Sequence, residues 1–199
     1  MVSTQLDSAE SRFTAALQLI KASKTTEAEA LLRQLIEADP QHWRARQALA
    51  GVLNRARRQA EAVDVLSDGL MLAPLQRNLR LSLAQQWAQM GQISEALALM
   101  DDGARDAAKD PAYLVAHAQL FLRARRPDEA VPLFNAALTL TPADSVALLG
   151  AGLAHRALGN NDAALEALRR ALASPGITPA QRDVAESRIR EITGIGLPR

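Results

Sequence analysis

The sequence predicts an all-α solenoid: five stacked helical hairpins followed by a C-terminal capping helix. Three observations predict it. Five alanines recur at a fixed interval of 34 residues, Ala28, Ala62, Ala96, Ala130 and Ala164, and four of them follow a glutamate (Glu27, Glu61, Glu95, Glu129). Twelve residues after three of these alanines comes a proline: Pro40, Pro74 and Pro142. Between the markers, apolar residues keep the i, i+3, i+4, i+7 rhythm of helices with one buried face. Self-similarity at this period marks a stacked array, in which each repeat buries its apolar face only against its neighbours.

With the prolines as phase markers the chain divides into a lead-in, 1–8, five units, 9–42, 43–76, 77–110, 111–144 and 145–178, a capping helix, 179–192, and a flexible tail, 193–199. Asp7 followed by Glu10 reads as a capping box opening the first helix. The second helix of the first unit buries Ala28, Leu31, Leu32, Leu35 and Ile36. In the second unit the helices are expected over 43–55 and 59–72. The third unit buries Ala96, Leu99 and Met100, and the fourth Ala130, Leu133, Phe134 and Leu138. The evenly spaced alanines are small because the two helices of a hairpin cross closely there, and a larger side chain overpacks the crossing. The prolines stop each second helix, since the residue before proline is pushed out of the α region. Pro132 is expected inside its helix but near the first turn, where a missing N–H costs little. Gly91 and Gly159 share one place in the turn between helices, a place that calls for positive φ. Thr178 and Pro179 suit the N-cap and first residue of the closing helix. Val184, Ile189 and Ile192, set among charges, give that helix one apolar and one polar face.

Composition narrows the function. The chain has 199 residues, of which 48% are hydrophobic and 3% aromatic, so the core is built mainly from Ala and Leu. A formal net charge of +1 provides no field that would gather nucleic acid or an anionic membrane. The absence of cysteine removes disulfides, thiolate catalysis and Cys-based zinc sites. No apolar run reaches the ~18–20 residues of a membrane span, and residues 1–7 lack the basic and apolar regions of a signal peptide. The sequence as it stands reads as cytoplasmic, or as periplasmic if it is the soluble part of a membrane-anchored protein. Its Arg- and Ala-rich usage suits a GC-rich bacterial genome.

The pattern resembles the tetratricopeptide repeat (TPR) family. The family's small residue in the first helix appears as Ala16, Ala50, Ala84, Ala118 and Gly152. Its second-helix alanine is the 34-residue series, and its terminal proline is Pro40, Pro74 and Pro142, replaced by Ala108 and Gly176 in units three and five. A large apolar or aromatic residue appears as Leu19, Leu53, Trp87 and Phe121, with His155 in unit five. The resemblance covers 9–178 and implies a right-handed superhelix with a concave face lined by first helices. The run Arg170-Ala-Leu-Ala-Ser-Pro-Gly-Ile-Thr-Pro-Ala-Gln-Arg182 is similar to the end of TPR proteins from type IV pilus biogenesis of the mannose-sensitive haemagglutinin kind.

The expected concave face carries Arg44, Gln47, Asn54, Asn78, Leu81, Gln85, Gln119, Leu149 and Arg156. This mix of amides, arginines and aliphatics suits hydrogen bonding to an extended peptide backbone and seating of apolar side chains. Chaperone-binding TPR domains grip a C-terminal carboxylate with Lys and Asn; the matching positions here hold Gln47, Gly51, Leu81 and Gln85, so that clamp is not expected. Two near-identical runs, Arg55-Ala-Arg57-Arg58 and Arg123-Ala-Arg125-Arg126, lie 68 residues apart. They read either as cations complementing first-helix dipoles or as a basic ridge for an acidic partner. Trp87 belongs to the core, and Trp43 opens a helix half-exposed. His42, His117 and His155 have no metal-ligand spacing, and His117 and His155 read as satisfied packing or surface residues. Asp101, Asp102 and Asp106 read as a solvated helix face. Gly150 and Gly152 lie inside a helix rather than in a phosphate loop, and no nucleophile motif occurs.

These readings converge on a non-catalytic adaptor that binds a protein or peptide in a groove, with bacterial pilus or envelope assembly as its setting. No cofactor, metal or nucleic acid is expected. The alternative is a self-assembling scaffold, in which one copy fills the groove of another.

Overall fold

The apolar stripes become helices along the whole chain. A computed structural model describes the backbone of residues 2–194 and the side chains of residues 9–194. Eleven helices are described and no strand: α1 Val2–Lys21, α2 Thr25–Ala38, α3 Trp43–Arg55, α4 Gln59–Leu72, α5 Arg77–Gln89, α6 Ile93–Gly103, α7 Pro111–Arg123, α8 Pro127–Leu140, α9 Ser145–Ala157, α10 Asn161–Ala173 and α11 Pro179–Thr193. They form two compact units, Met1–Gly103 and Ala104–Arg199. The first holds three hairpins, α1–α2, α3–α4 and α5–α6. The second holds α7–α8, α9–α10 and the closing helix α11. Within each unit the first helix of a hairpin also packs on the first helix of the next, α1 on α3 and α3 on α5, then α7 on α9 and α9 on α11.

The alanine series occupies the tightest places. Ala28, Ala62, Ala96, Ala130 and Ala164 are all fully buried. A Cβ added to Gly152 would lie 3.4 Å from the carbonyl oxygen of Ala164 and 2.7 Å from Leu168 Cγ, so at that crossing even one methyl meets the opposite helix. The turns repeat as strictly. Positive φ recurs every 34 residues, at Ser23 (60°), Arg57 (62°), Gly91 (83°), Arg125 (60°) and Gly159 (78°). The sequence marks this place only where it holds glycine; Ser23, Arg57 and Arg125 adopt the same conformation at a steric cost of about 1–2 kcal/mol each.

Three expectations are corrected. Helix α1 already runs from Val2, so Asp7 does not open it, and the Asp7 side chain lies outside the described residues. Pro132 stands in the second turn of α8, whose first helical position is taken by Pro127. Its missing N–H therefore removes a bond that the helix would otherwise make. Asp106 lies in the turn region after α6, not on a helix. Helix α6 is 11 residues long, against 14 for α4 and α8. Carboxylates at a helix C-terminus oppose its dipole, and Asp101-Asp102 fall there. Asp102 turns aside to meet Arg80 Nη1 at 2.8 Å.

At the C-terminus, the Thr178 hydroxyl accepts from Gln181 N–H while the Gln181 side chain accepts from Thr178 N–H, a complete capping box with Pro179 at the first helical position. Residues 195–199 of the expected tail lie outside the described residues.

Candidate functional site

Much of the polarity expected to line a groove is used between neighbouring first helices. In the first unit, Arg44 Nη1 donates to Glu10 Oε1 at 3.0 Å, and its guanidinium lies 4.5 Å above the Phe13 ring. Gln47 Nε2 donates to the carbonyl of Asn78 at 3.0 Å and to Ser82 Oγ at 2.6 Å. Asn54 Nδ2 donates to Gln86 Oε1 at 2.5 Å, and Gln86 is buried. In the second unit, Arg156 Nη2 meets Glu191 Oε2 at 2.6 Å, tying α9 to α11. Each tie joins residues about one repeat apart. The other expected groove residues are Asn78, Leu81 and Gln85 on α5, Gln119 on α7 and Leu149 on α9; Asn78, Gln85 and Gln119 are exposed, Leu81 and Leu149 half-buried.

The two arginine runs fall in different units and divide by role. Arg55 and Arg123 lie exposed in the last turns of α3 and α7. Arg57 and Arg125 hold the left-handed turn. The third arginine of each run binds the glutamate that precedes an alanine of the 34-residue series. Arg58 Nε lies 2.5 Å from Glu61 Oε1, and its Nη1 lies 2.8 Å from Glu29 Oε2. Arg126 pairs with Glu129 in the same way and places its guanidinium 4.9 Å over the Phe121 ring. Burial works to raise the Glu29 carboxyl, but hydrogen bonds from Arg33 and Arg58 and their charges outweigh it and hold the group below the ordinary carboxylate range. Hydrogen bonding from Arg58 lowers Glu61 likewise.

Arg46 and Arg80 escape a sequence reading altogether. Both are buried although they lie near the start of a first helix. Arg46 Nε donates to the carbonyl of Pro40 and Nη1 to that of Val65, both at 3.0 Å. One repeat later Arg80 donates to the carbonyls of Pro74 at 3.0 Å and Leu99 at 2.9 Å. Each guanidinium thus joins the preceding proline turn to the second helix of its own hairpin. Desolvation lowers the pKa of Arg46, opposed by the charge of Asp68. A signal for this device is present in the sequence: Gly69 and Gly103 sit at helical positions in the same register. A Cβ on Gly69 would lie 2.4 Å from Arg46 Cδ.

Trp43 and Trp87 are partly buried against the core of the first unit. His42 Nδ1 accepts from Ala45 N–H at 3.1 Å and caps α3. His117 is buried, stacked 4.9 Å from the Phe121 ring and edge-on to Tyr113. His155 departs from the expectation of a satisfied side chain, since its Nδ1 is buried without a hydrogen-bond partner among the described residues. Among those residues no three His, Asp or Glu side chains gather to hold a metal, and no helix is long and apolar enough to cross a membrane.

Comparison with known proteins follows this geometry. Tetratricopeptide-repeat family models match residues 19–85, 81–145 and 115–181. Among solved structures, TTC0263, a thermophilic TPR protein of Thermus thermophilus, superposes with a TM-score of 0.71 at 16% identity, over 91% of this chain and 98% of its own. YrrB, described as a TPR protein with an unusual peptide-binding site, gives 0.67 at 19% identity over 88% and 89%. MamA gives 0.68 at 12% identity over 96% and 98%. At such identities the likeness is one of fold. No curated protein matches the sequence.

Proposed function

The chain belongs to the tetratricopeptide repeat family, and from that premise we propose that it is a non-catalytic adaptor that binds a polypeptide segment along its first helices. The observation that carries this reading is what is left once the ties between helices are set aside. On α5, Asn78, Leu81 and Gln85 follow one another at helical spacing, a strip of amide, aliphatic and amide in which the amides are exposed and the leucine half-buried. Amides hydrogen-bond an extended backbone without demanding a sequence, and the leucine supplies an apolar seat. The peptide-binding description of YrrB supports the reading by analogy of fold alone.

The test is selection of peptides from a displayed library on the full chain, followed by titration of the selected peptide. Leu81→Glu combined with Gln85→Ala is expected to weaken binding about tenfold, by analogy with loss of a buried contact and a hydrogen bond. Undiminished binding to that variant would remove α5 from the site. In the two arginine runs, Arg55, Arg57 and Arg125 are among the exposed cations that would meet an acidic segment. Charge reversal at Arg57 and Arg125 should reduce capture of an acidic peptide and flatten its salt dependence.

The narrower setting of pilus or envelope assembly rests on the run 170–182 alone. The structural duties of that run account for much of its composition: Ser174 Oγ donates to the Arg170 carbonyl at 3.2 Å, the Gly176 carbonyl accepts from Ser145 Oγ at 3.3 Å, and Thr178 caps α11. A deletion strain with normal pili and an intact envelope would end that setting.

A further inference from the structure

The net charge of +1 hides a division by helix in the unit Met1–Gly103. The second helices α2, α4 and α6 carry nine carboxylates and one arginine, whereas the first helices α3 and α5 carry five arginines and no carboxylate. On α4 every charged side chain is acidic: Glu61, Asp64 and Asp68. Glu61 is taken up by Arg58. Asp64 and Asp68 are exposed, and Met71 and Leu72 follow one turn later on the same side of the helix. Among the described residues, Leu75 and Met71 are the most exposed large apolar side chains, at 79% and 72%, and Leu72 between them stands at 48%. Leu75 occupies the turn that Gln76 N–H closes on the Ala73 carbonyl at 2.9 Å. The repeat does not call for these side chains. In the register of Met71 the other hairpins hold Glu37, Arg105, Thr139 and Ala173. In the register of Leu75 they hold Gln41, Lys109, Ala143 and a half-buried Ile177. Exposed apolar residues scattered singly are ordinary, but three within five positions make a patch.

We propose that this end of α4 is a docking site for a basic amphipathic helix of a protein partner. Apolar side chains of the partner cover Met71, Leu72 and Leu75, and its lysines or arginines stand over Asp68 and Asp64. The face from Asp64 to Leu72 is about 12 Å long at helical rise, which matches two turns of a partner helix. Charge decides the class of partner: with no cation of its own, α4 attracts a basic segment and repels an acidic one. The thioether of Met71 is flexible and accepts apolar side chains of varied shape. The site lies on a second helix, so it stands or falls apart from the strip on α5.

The test is a fluorescence-anisotropy titration of the full chain with a labelled peptide of two Leu-Lys-Lys-Leu-Leu-Lys-Leu heptads, and with its twin carrying Glu for every Lys. The lysine peptide is expected to bind saturably, more weakly as salt is raised, and the glutamate twin at least about tenfold more weakly. Met71→Ser combined with Leu75→Ser should weaken the lysine peptide about tenfold. Asp64→Lys should weaken it about threefold and flatten the salt dependence. Asp68 is kept in these variants because its charge supports the buried Arg46. The three substituted side chains are exposed, so the variants should keep the helical circular dichroism and melting of the parent; if one does not fold, the other decides. Leu81→Glu combined with Gln85→Ala should leave the affinity unchanged. No saturable binding, equal binding of the two peptides, undiminished binding to a folded α4 variant, or loss of binding in the α5 variant would each overturn the proposal. So would a dimer in sedimentation that Met71→Ser with Leu75→Ser turns into a monomer, since a second copy then fills the patch.

Discussion

In the unit Met1–Gly103 the early turns of α3 and α5 carry buried arginines, Arg46 and Arg80; in the unit Ala104–Arg199 the same register carries Leu114 and Leu148, both buried. In the register of Gly69, where an added Cβ would meet Arg46, the first unit also holds Gly103 and the second holds Ala137 and Ala171. The first unit therefore holds its hairpins with a guanidinium bonded to two backbone carbonyls, and glycine makes the room. The second carries buried leucines at the equivalent register and alanine in place of glycine. It presses elsewhere instead: a Cβ on Gly150 would lie 2.3 Å from Phe134 Cζ. The difference teaches that the repeat specifies a spacing between helices, and that a polar staple and an apolar contact meet that spacing equally well if the opposite residue is matched.

The largest expected effect tests the apolar solution. Phe134 is fully buried, and Phe134→Ala should destabilise the second unit by about 3–5 kcal/mol, read as a fall in the denaturation midpoint followed by probes within that unit. The next tests the exchange itself. Arg46→Leu removes two hydrogen bonds from a charged donor and leaves the carbonyls of Pro40 and Val65 without it, at about 2–3 kcal/mol. Gly69→Ala forces a methyl against Arg46, at about 1–3 kcal/mol. Combined, the two substitutions write the Leu–Ala pair of the second unit into the first, and the double variant should lose at least about 1 kcal/mol less than the sum. Strict additivity in urea titrations would show that the two residues do not share one space.

Smaller effects sharpen the features common to both units. Ala62→Phe and Ala96→Phe should each cost at least about 1–3 kcal/mol through overpacking of the hairpin crossing, and wild-type melting of both would contradict the alignment of the repeats. The smallest effect concerns charge. The Glu29 and Glu61 carboxyls are lowered by Arg58. A depressed carboxyl contributes stability that is present above its unfolded pKa and lost as pH falls through the folded value. The urea midpoint should therefore drop between neutral pH and the acid side of the carboxylate range, and the drop should be shallower in Arg58→Gln. An equal drop in the two proteins would show that the pairing contributes nothing.

The features legible beforehand are those that one helix or one turn decides. The prolines and the turn glycines act locally, and α3 and α4 occupy the spans anticipated for them. Residues whose partners lie a repeat away are only half legible, for a common reason. Gln47 and Asn54 have the composition of a binding face, yet their hydrogen-bond partners are Ser82 and Gln86 on the next first helix. A helical wheel shows which side a residue faces and not what already stands there. Arg46 goes unnoticed because an arginine near a helix start reads as solvated; only the glycine at 69, unexplained by any turn, hints at the space it fills. Arg58 and Arg126 are masked by the runs they end, although the repeat itself marks their partners Glu61 and Glu129.

The pairing of Arg46 with Gly69 has a consequence for how such an array can be lengthened or recombined. Both residues lie between the successive proline turns at Pro40 and Pro74, so genetic exchange at those turns moves them together. A crossover inside a hairpin would set arginine against alanine, or leucine against glycine, and create either a collision or a void. The lineage of a chain built this way is therefore free to shuffle whole hairpins and is barred from splicing their halves.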